Sequence, residues 1–484
     1  MHTRVSINAK AGSCALAMLI SALALPAYAL GVPDILADPL GVNPDRLKTG
    51  AVLPDGSPLV SPSSVDLSQP LALGSAIDVA LCNNPQVHSA WAAIRIQAAG
   101  VGEARAAYLP TIKVSVSRLA NWTSNASPYG APDSYMTGNQ LYGTLSWRLL
   151  DFGGRSANNK EASQLLAAAL ASHDASLQKT MTEVIQTYFD AMTAQSLFVA
   201  RKKMAELAED ILAATKRRED RGAAPLFDTL QASTALAKAR LNEARAQGDF
   251  SKSLSLLVQA MGLTPGTSLC LPQTLELYRA DDVKALESWL REAEEQHPAI
   301  RQARAKLAAD KAKITVARSE GLPSVDATAY ISRNGYPNQG LSSVNQSVKV
   351  AGVTLNVPIF EGFGRTYKIR GAQAQAEQSQ AQLQNTTNQI LTEVVNAHAD
   401  AMTSLGTLKA TERLMSAATQ SLHSSLRRYE RHATDILELL NSQSSLADAE
   451  QERIRAVAEW CSARLRLLAG SGLLGQADLL PERP

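Results

Sequence analysis

Any chemistry in this chain of 484 residues would have to come from scattered groups. Seven histidines are present, yet none forms an HExxH pair or another metal-ligand spacing. No Gly-x-Ser-x-Gly nucleophile elbow and no phosphate-cradling Gly-rich loop ending in Lys-Ser/Thr occurs. Asp151-Phe152-Gly153 spells a kinase triplet, but the companion loops that give the triplet its meaning are missing. His297-Pro298 reads as a helix start. The expectation is therefore no catalytic constellation, no resident metal and no cofactor.

The thiols are the remaining reactive groups, and their redox state depends on compartment. The first 29 residues read as a secretory leader. Arg4 and Lys10 supply a positive start, residues 15–25 an apolar run, and Ala27-Tyr28-Ala29 a small-x-small cleavage site. The apolar run is short of the ~20 residues that span a bilayer. Cleavage after Ala29 and export are expected, with Cys14 lost in the leader and no acylatable cysteine left at the new N-terminus. Cys82, Cys270 and Cys461 then enter an oxidising compartment. A Cys82–Cys270 bridge is expected because both lie near the ends of a repeat unit that spans 71–270; the alternative is three unpaired buried thiols.

Composition narrows the partners. A net charge of +2 offers no basic excess for nucleic acid, so none is expected. Aromatics are only 5% of the chain, which suits long helices packed through small side chains. Residues 30–70 carry seven prolines and read as an extended N-terminal segment.

The chain repeats itself. Residues 83–87 (NNPQV) match 296–300 (QHPAI), and Leu109-Pro110 matches Leu322-Pro323, both at an offset of 213. Gly154-Arg155 matches Gly364-Arg365, Thr182-Glu183-Val184 matches Thr392-Glu393-Val394, and Arg221 matches Arg431, all at an offset of 210. The reading is one large unit used twice, 71–270 and 271–474, followed by a tail at 475–484. Each unit starts with a helix that ends near Pro110 or Pro323. Two strands come next, at 111–119 and 140–149, then at 324–332 and 347–357. A pair of long helices closes each unit, at 156–221 and 226–261, then at 366–431 and 435–469. Residues 156–221 contain neither Gly nor Pro; as one helix they would run ~100 Å. Ile185, Phe189, Met192 and Val199, with Ser196 in the gap, recur at packed-helix spacing. The fold class is mainly α with a small β part.

The strands alternate. Ile112, Val114 and Val116 oppose Lys113, Ser115 and Ser117; Leu141, Leu145 and Trp147 oppose Tyr142, Thr144 and Ser146. In 347–357 the alternation slips between Val350 and Val353, which predicts a bulge near Gly352. Trp122, Trp147 and Tyr142 suit a membrane interface, and Trp91 suits core packing. About ten residues per strand is the length that an outer-membrane strand needs. Two hairpins cannot close a barrel, and an open edge in lipid strands peptide groups at several kcal/mol each. Several chains must then share one barrel.

Three pairs of stretches carry a resemblance. They are ARAAYLPTIKVSVS with ARSEGLPSVDATAY, SWRLLDFGGRSANNKEA with NVPIFEGFGRTYKIRGA, and RREDRGAAPLFDTLQASTAL with RRYERHATDILELLNSQSSL. Over 70–474 the chain resembles the outer-membrane factor family, the TolC-like efflux and type I secretion channels. The resemblance implies a homotrimer with a 12-stranded barrel in outer-membrane lipid, continued by a periplasmic α-helical barrel. It also implies a periplasmic adaptor (membrane fusion) protein and an inner-membrane ABC exporter or proton-driven pump. At the periplasmic tip, Asp228 and Tyr429 match members of the family's closing link, whose arginine position falls on Thr434. The family's two acidic constriction rings fall on Glu438 and Asn441, with Asp435 a rival for the lumen-facing role. Type I protein secretion is the favoured function, as in the adenylate-cyclase-toxin (cyclolysin) branch. The alternative is small-molecule efflux. From another class, a soluble periplasmic coiled-coil scaffold would explain the helices but not the alternating strands.

Overall fold

The computed structural model describes residues 38–42, 69–124, 134–272, 284–334, 346–431, 433–472 and 474. The expected leader (1–29), nearly all of the Pro-rich segment (30–70), residues 125–133 and 335–345 between strands, and the tail (475–484) lie outside the described residues. Residues 1–43 form a separate unit. Its described part is a turn in which Val42 N donates to the Asp38 carboxylate at 2.7 Å. The second unit, 44–484, holds the helices and the sheet.

The duplication is visible element by element. The first copy comprises α1 (Leu73–Asn83), α2 (Pro85–Ala106), β1 (Thr111–Thr123), β2 (Ser134–Leu150), α3 (Gly154–Asp220) and α4 (Leu226–Ala260). The second comprises α5 (Leu286–Gln296), α6 (Pro298–Ser319), β3 (Ser324–Asn334), β4 (Gln346–Asn356), α7 (Gly364–Glu430) and α8 (Ile436–Ser471). Both α1 and α5 have 11 residues, and both α3 and α7 have 67. The caps repeat as well. Asn84 accepts from Gln86 N, and His297, its counterpart, accepts from Ala299 N; a proline stands directly after each. Burial holds His297 below its ordinary range, partly offset by Glu393.

Each strand pair hands over to its long helix through two consecutive left-handed residues. They are Phe152 and Gly153 in the first copy, Gly362 and Phe363 in the second. The glycine and phenylalanine have exchanged places, so each copy holds one non-glycine residue at positive φ. Arg155 ties this corner down. Its guanidinium donates to the carbonyls of Arg148 at 2.6 Å and Leu149 at 3.0 Å, and to Asp151 at 3.2 Å. It also lies 4.8 Å from the centroid of the Tyr108 ring. In the second copy Gly321 stands in place of Tyr108, and Arg365 occupies the space that a side chain there would need.

The sheet is an antiparallel meander in the order β1-β2-β3-β4. β1 and β2 run several residues beyond their expected outer ends. The expected bulge near Gly352 is not there: β3 and β4 pair without a break from Ser324↔Asn356 to Asn334↔Gln346. The irregularity lies in β2, between Arg148 and Leu150. Unbroken pairing puts Val348 and Val350 on the polar face, so the slipped alternation is a change of side-chain type without a change of register.

The main core joins both copies. Ile77 of α1, Leu177, Met181 and Ile185 of α3, Leu257 of α4 and Trp460 and Cys461 of α8 are buried together. The stripe on α3 is buried through Ile185, Phe189 and Met192, but Val199 is 45% exposed. The three cysteines carry no disulfide, which corrects the expected Cys82–Cys270 bridge. Geometry is the reason. The Cys270 carbonyl accepts from Leu71 N at 2.8 Å, just before α1, whereas Cys82 lies at the far end of that helix. Eleven residues of rise place the two roughly 16 Å apart, well beyond the ~4.4–6.8 Å between Cα atoms that a disulfide tolerates.

Candidate functional site

Two regions could handle a passenger: the sheet, with its unlike faces, and the hairpin tips at the far end of the long helices. Register assigns the faces. Ile112 pairs with Leu145 and Leu145 with Ala329; Val114 pairs with Gly143 and Gly143 with Ile331. One face is therefore Ile112, Val114, Val116, Leu141, Leu145, Trp147, Ala329 and Ile331, continued on β4 by Val353 and Leu355. No described residue covers it, and Ile112 is 71% exposed. The opposite face carries Lys113, Ser115, Thr144, Ser146, Thr328 and the Arg148–Asp326 ion pair at 3.0 Å. Tyr142 lies on this polar face, 5.8 Å from Tyr330, which corrects its expected interfacial position. An apolar outer face and a polar inner face are what a membrane barrel requires. Among the described residues no helix is long and apolar enough to cross a membrane.

At the tips, the structure gathers most of the residues that the sequence singled out. Asp435 caps α8, accepting from Glu438 N at 2.9 Å. Thr434 donates its hydroxyl to Glu438, whose other oxygen accepts from Arg428 at 2.8 Å. Arg428 also reaches the Ala433 carbonyl at 3.4 Å, so one arginine closes the loop between α7 and α8. Tyr429 is buried among Ile211 of α3, Ala232 of α4, and Ile436 and Leu439 of α8. Its hydroxyl lies 3.4 Å from that of Thr215. Asn441 is exposed one turn beyond Glu438. Asp228 sits in the first turn of α4, and among the described residues no hydrogen bond or ion pair joins it to Tyr429.

Sequence reasoning missed Arg218. This residue of α3 places its guanidinium carbon 4.5 Å from the centroid of the Tyr429 ring and donates to the Tyr429 carbonyl at 3.4 Å. It thereby bridges the hairpins of the two copies. The signal was available: the offset of 210 pairs Arg218 with Arg428 and Asp228 with Glu438. The equivalent acids and bases make different contacts.

Among the described residues no group of His, Cys, Asp and Glu side chains is placed to hold a metal ion. Among the described residues, a charged cleft of about 430 Å³ lies at the strand-to-helix corner between Asp151, Arg155, Glu320 and Glu361. Both of its arginines are engaged, Arg155 in the corner itself and Arg148 with Asp326. The unlike faces of the sheet are those of a barrel wall.

Comparison with known proteins agrees. The outer membrane efflux protein family matches residues 76–263 and 289–473, one match per copy. Protein CyaE of Bordetella pertussis is 34% identical over 424 residues, covering 87% of this chain and 88% of that protein. The alkaline protease secretion protein AprF of Pseudomonas aeruginosa is 24% identical over 427 residues, covering 84% and 86%. In fold, the outer membrane protein VceC of Vibrio cholerae superposes with a TM-score of 0.72 at 20% identity, over 83% of this chain and 96% of that one. With both copies matched, this chain belongs to the outer membrane efflux protein family, as a TolC-type channel with its sheet in the outer membrane and its long helices in the periplasm.

Proposed function

We propose that the chain is the exit duct of a tripartite export system, assembled as a homotrimer and serving type I secretion of a polypeptide. One observation carries the reading. The sheet has a lipid-compatible face, and among the described residues β1 and β4 each pair with a single strand. Unpaired edges in hydrocarbon are untenable, so copies must lend each other strands. Three four-stranded sheets would close a barrel of twelve, large enough to keep a lumen. The duct itself supplies no energy, so a periplasmic adaptor and an inner-membrane ABC exporter complete the system. The relative named for alkaline protease secretion supports a polypeptide passenger. The family's own description as efflux proteins favours the second reading, a small-molecule duct fed by a proton-driven pump.

In this reading the tip is the gate. Asp228, Tyr429, Thr434 and Asp435 shape it, and Glu438 presents one acidic ring to the axis, with neutral Asn441 a turn away. Three converging carboxylates would attract cations. Native mass spectrometry should report a trimer. In planar bilayers, millimolar divalent cations should block the wild type, and Glu438→Ala should relieve that block. Equal block in both proteins removes Glu438 from the axis. A purified monomer that remains folded without detergent overturns the duct. Loss of a secreted polypeptide, with drug tolerance intact, on deleting the gene separates secretion from efflux.

A further inference from the structure

The sheet's charges are unevenly placed. Its described strands hold five cations, Lys113, Arg118, Arg148, Arg333 and Lys349, and a single acid, Asp326. Asp326 is on the polar face and is held by Arg148. Three of the cations lie on the other face, the apolar one. Arg333 shares a row with Leu141 and Val116; Lys349 shares a row with Ile331, Gly143 and Val114; Arg118 comes two residues after Val116. All three are exposed, and none makes an ion pair among the described residues. All three lie toward the hairpin ends, away from the helices, and so toward the cell exterior.

Depth gives these positions meaning. From Leu150 at the inner end to Leu141, β2 covers roughly 30 Å of strand, which at the usual tilt spans the ~25 Å apolar band of an outer-membrane barrel. The basic residues begin where that band ends. Lys349, one row inside, has a stem long enough to bring its ammonium to the edge. Beyond them on the same face stand Trp122 and Tyr135, with ring centroids 5.1 Å apart, an aromatic pair suited to an interface. Cations facing lipid with no acid beside them among the described residues call for an anion from the lipid phase. The patch covers roughly 14 Å across the strands and 14 Å along them, room for a headgroup with more than one phosphate.

We propose that Arg118, Arg333 and Lys349 form a binding surface for the phosphorylated glycolipid headgroups of the outer leaflet. One such patch per subunit would anchor the barrel at a set height. The proposal depends on which face meets lipid, and it is independent of the passenger.

The test uses the detergent-purified full chain and three probes: diphosphorylated lipid A, dephosphorylated lipid A and inorganic phosphate. Wild type should bind diphosphorylated lipid A and show a higher melting temperature with it. The combined Arg118→Gln, Arg333→Gln and Lys349→Gln variant should bind on the order of 100-fold more weakly. Lys113→Gln, on the polar face, should bind as wild type. If the combined variant does not fold, Arg333→Gln alone should still show a measurable loss. Undiminished binding by the combined variant, or by Arg333→Gln in its place, overturns the proposal. So does equal binding of the dephosphorylated lipid, or displacement of lipid by millimolar inorganic phosphate, which would reveal a free-anion site. Conductance of the same variants reads the channel separately, so failure here leaves the duct untouched.

Discussion

The two hairpin tips are built from equivalent residues and held in different ways. In the second copy the loop's polar contacts are local: Asp435 caps α8, Thr434 and Arg428 bind Glu438, and Arg428 closes its own loop. In the first copy the cap position is Pro225, which has no side-chain acceptor to offer, and Arg218 leaves its own hairpin to rest on Tyr429 of the other. Burial is divided in the same way. Ile436 is 1% exposed, whereas its counterpart Leu226 is 60% exposed, with Phe227 and Leu230 uncovered beside it. The second tip closes its own polar contacts and the first sends its arginine to its neighbour, while the apolar cluster beneath is shared by both. If the tips gate as proposed, this asymmetry would leave one element in place while another swings.

The largest effect should come from removing the shared anchor. Tyr429→Ala takes a buried aromatic from the tip cluster and should cost about 3–5 kcal/mol. Melting should fall, and single channels should conduct more at rest, because the first hairpin loses its support. An unchanged resting conductance would show that the hairpins are not coupled through this ring. Next in size, Asp435→Ala should cost about 1 kcal/mol by loss of the α8 cap. Pro225→Ala should cost less, since no side-chain cap exists there to lose; equal costs would erase the contrast between the tips.

The arginines give a finer comparison. Arg218→Ala removes a cation over a ring, worth about 0.5–1 kcal/mol, and should raise resting conductance. Arg428→Ala breaks an ion pair whose members are 53% and 42% exposed, worth only a few tenths of a kcal/mol after solvent screening. It should leave conductance near wild type, and its small stability effect should vanish in high salt. The reverse ranking would mean that the ion pair, and not the stacked arginine, holds the gate.

The smallest effect tests the other pair of unlike equivalents, His297 and Asn84. Burial lowers the His297 pKa from its ordinary 6.5. The unfolded chain therefore takes up the proton first as pH falls. The stability that depends on neutral His297 is complete above about pH 6.5 and is lost as pH drops through the lowered folded value. Protonation would also remove the lone pair that accepts from Ala299 N. Melting temperature tracked from pH 7.5 to 5 should fall in wild type and flatten in His297→Asn, which keeps an acceptor at the cap.

Much of this architecture was legible in the chain before folding. The repeat, the order of elements and the two-faced strands arise from local rules. Absence of Gly and Pro lets a helix run, a Leu-Pro stops it, and alternation sorts side chains by a period of two. The tip residues from Thr434 to Asn441 came from the family resemblance, position by position, and the contacts of Thr434, Asp435 and Glu438 are local in sequence. The offset of 210 marks Arg218 as the counterpart of Arg428, but its contact with Tyr429 could not be read, because that partner lies on the other copy.

What the sequence determined by itself was therefore periodic and local: the duplicated unit, its helices, and the alternating strands that need partners. Only the tertiary structure decided register and cross-copy contact. It moved the irregularity from Gly352 to the stretch between Arg148 and Leu150, separated Cys82 from Cys270 by the length of α1, and sent Arg218 to Tyr429. Each of these turns on where distant segments come within a few ångströms of one another, a quantity that is set by packing the whole unit and that no single segment encodes.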